Sequence, residues 1–173
     1  MKKFTKFLMA ATVLFAAMNL TACNKDDEKT EPTPNPGEAS AKYEIMYLGR
    51  TLEPGQVIYC NLTDEQRAND DAEVDVYMKN ITDATLNTHF RVELADGPET
   101  MNEVPVCYGE CLIQQCPYTS EAIQLAPGID TKPLQLHVYP SQHGRSGSGS
   151  YRITVGEGSS LANPQVFYVN FAW

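Results

Sequence analysis

An all-β, antiparallel sandwich of seven or eight strands is the fold class this sequence predicts, and three observations predict it. From Tyr43 onward, apolar and polar residues alternate in short runs at period two. Clusters of Gly, Pro, Asn and Asp separate those runs. After the N-terminal segment there is no eleven-residue stretch at helical period. A barrel meets the same spacing and stands as the second architecture.

The first run spans Tyr43 to Leu48 and ends at Gly49; the second, Gln56 to Leu62, follows the turn signal Pro54-Gly55. Thr63 to Asp71 is acidic and reads as a loop or a single helical turn. Glu73 to Lys79 alternates cleanly, which puts Val74, Val76 and Met78 on a buried face. Asn87 to Leu94 repeats the pattern with Phe90, Val92 and Leu94 inward and His89, Arg91 and Glu93 outward. The turn composition of Asn80 to Thr85 joins these two runs as a hairpin, which Asp96-Gly97-Pro98 ends. Val104 to Pro117 shows little periodicity and is expected to be a crossing loop held by disulfides. Ala122 to Leu125, Leu134 to Tyr139, Ser150 to Val155 and Gln165 to Trp173 complete the set, the last with Phe167, Val169, Phe171 and Trp173 on one face.

Ahead of this domain the chain opens with Lys2 and Lys3, runs apolar from Phe7 to Met18, and reaches Leu20-Thr21-Ala22-Cys23. A positive start, an apolar run too short to span a bilayer and small residues before a cut form an export signal. The four residues ending in Cys23 resemble the lipobox of bacterial lipoproteins. That resemblance implies cleavage after residue 22, a covalent lipid on Cys23 and attachment to a membrane; more than one acyl chain makes such an anchor persistent. Residues 23–42 are expected to be a disordered linker, since nothing from 24 to 38 is hydrophobic and prolines recur. Within it, Lys25-Asp26-Asp27-Glu28 resembles the acidic tag behind the lipid cysteine of surface-exposed lipoproteins of the Bacteroidetes type. It implies an outer-membrane location, with surface display favoured over the periplasmic face. The folded domain is expected over residues 43–173.

Residues 1–22 hold three lysines and no acid, so the remaining 151 residues keep 10 of the 13 basic residues against all 22 acidic ones, a formal charge of −12. Such a balance argues against nucleic acid, which requires a basic footprint, and against electrostatic adsorption on an anionic leaflet. Solubility is its simplest reading.

Cys60, Cys107, Cys111 and Cys116 remain beside Cys23. An even number in an exported domain reads as disulfides. Zinc competes, because three cysteines fall within ten residues, but the second cluster such sites usually pair is missing. Of three possible connectivities the expected one joins Cys107 to Cys111 as a local clip, turned by Gly109, and Cys60 to Cys116 as a long-range link. The long link closes a loop of more than fifty residues and adds roughly 3–4 kcal/mol in the chain-entropy model.

Sites of chemistry are sparse. His89 and His137 alternate outward, and His143 sits in a turn, so all three read as exposed polar residues. Asp64, Glu65 and Asn69 to Asp71 cluster oxygens without the spacing or the central glycine of a calcium loop. There is no Gly-x-Ser-x-Gly elbow, and Gly147 to Ser150 precedes a strand rather than a helix, so it offers no phosphate cradle. Asn61-Leu62-Thr63 and Asn80-Ile81-Thr82 match an N-glycosylation pattern that a bacterial lipoprotein does not ordinarily use. Tyrosines are the better candidates for binding: Tyr77 and Tyr139 on outward positions, Tyr108 and Tyr118 about the expected disulfide loop.

From Glu73 onward the chain also resembles an immunoglobulin-like domain of secreted Bacteroidetes proteins. The likeness rests on Val76 to Asn80, Cys107 to Cys111, Cys116-Pro117, Leu125 to Gly128, Leu136 to Pro140, Gly147 to Tyr151 and the hydrophobic final strand. It implies an immunoglobulin-like sandwich more than an activity. In many such relatives a type IX sorting domain follows; here the chain reaches Trp173 and the lipid anchor is expected to take that role. Together these readings predict a non-enzymatic binding, adhesion or assembly module with an unknown protein or glycan partner, no metal, and no cofactor beyond the lipid on Cys23. The alternative is a redox or metal-handling envelope protein that uses Cys107 and Cys111.

Overall fold

A computed structural model describes residues 42–173 except Arg145; the export segment, Cys23 and the linker through residue 41 lie outside the described residues. Thirteen strands follow in chain order: β1 (Tyr43–Tyr47), β2 (Arg50–Thr51), β3 (Val57–Asn61), β4 (Ala72–Asn80), β5 (Leu86–Asp96), β6 (Glu103–Tyr108), β7 (Glu110–Gln115), β8 (Tyr118–Thr119), β9 (Ile123–Leu125), β10 (Gly128–Ile129), β11 (Leu134–Val138), β12 (Ser148–Glu157) and β13 (Ala162–Ala172). Among the described residues a single α-helix, α1 (Asp64–Asn69), stands between β3 and β4.

The strands form two sheets. One runs β2-β1-β4-β11-β6-β7, with β10 also on β4; the other runs β3-β13-β12-β5-β8, with β9 also on β5. Two open sheets make the molecule a sandwich rather than a barrel. Period-two alternation drives their packing: Ala72, Val74, Val76 and Met78 of β4 lie buried beside Leu134, Leu136 and Val138 of β11. Phe90, Val92, Tyr151, Ile153, Val155, Phe167, Val169 and Phe171 complete the core from the second sheet. Pairing is antiparallel except between β3 and β13, which run parallel.

All eight expected runs are strands, and five more accompany them. Three of the additions, β2, β8 and β10, are two residues long, too short to show a period. The other two form a hairpin where a loop was expected. Val104 and Val106 face inward on β6, but almost every residue of β7 is exposed, so β7 has no apolar face to reveal it. Gly109 makes the turn at φ 81°, and Cys107 and Cys111, directly opposite across the ladder, are bridged.

The expected hairpin of β4 and β5 does not form, because the two strands lie in different sheets. Buried Asn80 directs the crossing. Its side-chain amide donates to Ala84 O at 2.7 Å and Leu125 O at 2.9 Å. Its Oδ1 accepts from Thr82 N at 2.9 Å and Thr82 Oγ1 at 2.8 Å. The Asn80-Ile81-Thr82 match is therefore a turn device whose amide is sealed inside.

The expected Cys60–Cys116 bridge is absent, and both cysteines are free thiols. Cys60 lies on β3 at one edge of the second sheet, and Cys116 precedes β8 at the other, with three strands between them. At ~4.8 Å per strand that is about 19 Å, beyond the reach of a disulfide. Burial raises both thiols above their ordinary pKa. The remaining bridge closes a loop of separation four, worth about 2 kcal/mol in the chain-entropy model. We predict that Cys107→Ser/Cys111→Ser folds with a loss of about 2 kcal/mol in urea titration; failure to fold would show that β6 and β7 depend on the bridge.

Candidate functional site

Between the edges of the two sheets, on the β7 and β8 side, opens a groove of about 650 Å³. Its floor is Phe90, an inward residue of β5 that is 2% exposed. Tyr108, at the end of β6, and Tyr118, on β8, stand edge-on to that ring at 6.3 and 6.0 Å. Val106, Leu112 and Ile123 add apolar wall, and Lys132 is the basic residue on its rim. Tyr108 and Tyr118 thus line the same groove.

Both tyrosines are held in place. The Tyr108 hydroxyl donates to the Asp130 carboxylate, which also accepts from Lys132 N at 3.0 Å. β8 docks on β5 through Val92 and Tyr118 in register. Beyond it Ser120 ties the loop down: Ser120 N donates to Phe90 O at 2.9 Å and Ser120 Oγ accepts from Phe90 N at 3.0 Å. Fixed aromatic walls lower the entropy lost when a ligand is gripped.

Beside the groove β7 is the edge of the first sheet, with β6 as its one strand neighbour among the described residues. Leu112 and Ile113 are 53% and 68% exposed. Consecutive strand residues point to opposite faces, so β7 presents apolar side chains on both. Its sequence has no Lys or Pro, the residues that commonly blunt an edge against pairing. The arrangement can accept one further strand while the groove takes a side chain from it.

Tyr77 and Tyr139 are elsewhere. Tyr77 stands on the outer face of the first sheet opposite Met46, in a shallow depression with Tyr47 and Leu48. Tyr139 follows β11 and lies 6.4 Å from the His137 ring. Neither reaches the groove.

The histidines are less free than alternation implied. His89 Nδ1 lies 2.8 Å from Ser120 O, His137 Nδ1 is 3.0 Å from Asp71 Oδ1, and His143 Nδ1 is 2.8 Å from Thr100 Oγ1. Burial lowers the His143 pKa, with Asp70 opposing. The acidic segment is also accounted for. Thr63 and Gln66 form a capping box on α1, and the Asp70 carboxylate accepts from Ser141 N at 2.6 Å and from its hydroxyl.

Two buried phenols, Tyr43 and Tyr151, and the half-buried Tyr108 give a pH prediction. Tyr43 is pushed up to about 12, chiefly by burial. Burial also raises Tyr151, and burial followed by the Asp130 hydrogen bond raises Tyr108. A raised pKa means the neutral phenol is favoured in the fold, so the contribution is complete below the unfolded value near 10 and is lost as pH rises toward 12. The melting temperature is expected to hold up to about pH 10 and fall beyond it; a constant value to about pH 12 would contradict these burials.

No protein-family model matches this chain, and no curated protein sequence does. Among solved structures it is similar to the N-terminal domain of PorA, at 14% identity and a TM-score of 0.56, over 75% of this chain and 96% of that one. It is similar also to a PapD-like domain of human CEP192 (11%, TM-score 0.42, 87% and 96% covered). The Escherichia coli adhesin CfaE is a third (12%, TM-score 0.41, 76% and 49% covered). At 14% identity the likeness to the PorA domain shows the fold alone, an immunoglobulin-like β-sandwich.

Proposed function

We propose that this chain is a non-enzymatic binding and assembly module, lipid-anchored through Cys23 at the outer membrane and displayed on the cell surface. It takes an extended protein segment as an added strand on β7. The observation that carries this reading is an unblunted edge strand with exposed Leu112 and Ile113 beside the groove of Phe90, Tyr108 and Tyr118. An edge strand offers a row of unpaired N–H and C=O groups, and strand addition satisfies them while pockets read alternate side chains. Aromatic walls suit apolar anchors of a partner. The non-enzymatic reading is supported by the groove's floor and walls, which are largely aromatic and aliphatic, with Glu110, Glu121 and Lys132 as the charged residues of its lining.

The anchor reading rests on Leu20-Thr21-Ala22-Cys23 and the acidic residues after it. Labelled palmitate should enter the chain and fail to enter Cys23→Ala; equal labelling of both overturns it. Protease added to intact cells should remove the domain; full protection would move it to the periplasmic face.

For the binding site, a photo-crosslinking residue at position 112 is compared with one at 59. Tyr59 is 67% exposed on β3, the far edge of the second sheet. A specific adduct from 112 and none from 59, mapping to an extended segment of the partner, is the expected result. No adduct at 112, or the same adducts at both positions, would overturn strand addition at β7.

A further inference from the structure

On the outer face of the first sheet a second constellation lies apart from the groove's aromatic floor. Cys107 sits opposite Gln135 of β11, and Cys111 opposite Cys107. His137, two residues beyond Gln135, shares their face. The two sulfurs and a ring nitrogen of His137 all lie within 4.8 Å of one another.

The His137 ring is held as a ligand would be. Its side chain is 12% exposed, and Asp71 Oδ1 lies 3.0 Å from Nδ1. With Nδ1–H donating to that carboxylate, the neutral ring leaves the Nε2 lone pair available. Nε2 is buried with no hydrogen-bond partner among the described residues; the nearest charge is Glu73 Oε2 at 3.8 Å. A buried polar atom left without a partner is costly. A carboxylate that orients a histidine toward a vacant donor position is the arrangement seen behind metal-bound imidazoles.

We infer that Cys107, Cys111 and His137 form a soft-metal site, closed as the disulfide and opened when the bridge is reduced, with Asp71 orienting the imidazole. Two thiolates and one imidazole select zinc or copper(I) over hard cations. The Glu73 carboxylate or water would fill a fourth position. A dithiol supplies the reduction. Its thiolate attacks Sγ of exposed Cys111 and forms a mixed disulfide, releasing Cys107 as thiolate. Its second thiol then displaces Cys111. The dithiol leaves as a cyclic disulfide, two electrons having passed to the pair, and the two thiol protons are released when the metal binds.

The test uses the full chain carrying Cys23→Ser, Cys60→Ser and Cys116→Ser, so that one pair of thiols remains. It is reduced with dithiothreitol, freed of reductant without oxygen, and titrated with cobalt(II). Expected are sulfur-to-cobalt charge-transfer and tetrahedral d–d bands that saturate at one ion per chain, are bleached by zinc and are absent from the oxidised chain. His137→Gln should weaken binding on the order of tenfold or more, and Asp71→Asn about tenfold. Should the serine variant not fold, the same titration of the unsubstituted chain with and without His137→Gln decides, because Cys60 lies on the far edge of the other sheet and does not sense His137. Absence of charge-transfer bands from the reduced chain, or His137→Gln binding with unchanged affinity, would overturn the site.

Discussion

Asn80→Asp is expected to cost about 3–5 kcal/mol of folding stability although it changes one nitrogen to oxygen. Asn80 is 2% exposed, and its amide nitrogen reaches Ala84 O at 2.7 Å and Leu125 O at 2.9 Å. In the aspartate both donors vanish and a charged oxygen faces two carbonyl oxygens. The contacts from Thr82 N and Oγ1 to the other oxygen survive, so the loss measures the donor side alone. Burial among acceptors raises the new carboxyl's pKa above its unfolded value. The variant therefore regains stability as pH falls, when a protonated carboxyl can again donate once. Urea titrations at about pH 7 and about pH 4.5 check both parts. A loss under about 1 kcal/mol at neutral pH would mean Asn80 does not hold the crossing between the sheets.

Gly156→Ala is expected to lose about 3 kcal/mol or more, through a clash that no rotamer relieves. Gly156 lies at the irregularity in pairing between Val155 and Glu157, where β12 and β13 leave register. A Cβ there would stand 2.4 Å from Leu161 Cα and 2.5 Å from Leu161 C. Those are backbone atoms, and Leu161 is itself in the left-handed region at φ 53° with its N–H bonded to Gly158 O at 3.0 Å. Relief would require the turn at the centre of the second sheet to move. Gly109→Ala is the contrast: its added Cβ meets only the flexible Lys132 side chain, at 3.7 Å, so the cost is that of its positive φ, about 1 kcal/mol. Thermal melts of the two variants should separate widely; equal melting temperatures would contradict the packing at Gly156.

What the sequence made legible follows from where a buried face meets a regular period. β4 reads directly, because every second residue from Ala72 to Asn80 is buried. β7 could not be read, because neither of its faces is covered; the property that hid the strand is the one on which the proposed strand addition rests. The crossing at Asn80 looked like a hairpin turn, since turn residues bend the chain without stating which sheet receives it. The free state of Cys60 and Cys116 depends on strand order, which a count of four cysteines does not encode.

The groove was half legible. Tyr108 and Tyr118 were marked by their position about the cysteines, but Phe90, Asp130 and Lys132 were not. Phe90 reads as an ordinary core residue, and only the open edge of the sandwich makes it a floor. The His137 cluster was invisible because Cys107 and His137 are thirty positions apart and meet through the β6–β11 ladder. Thr63 and Gln66, by contrast, carry the helix-start signature of α1 at the spacing that a capping box requires.

Amide hydrogen exchange of residues 110–115 is the most direct measurement of strand addition, comparing the purified domain with the chain in its native envelope. Fast exchange of the outward-facing β7 amides is expected in the purified protein and marked slowing in the envelope, with β3 unchanged. Equal exchange along β7 in both settings would contradict it.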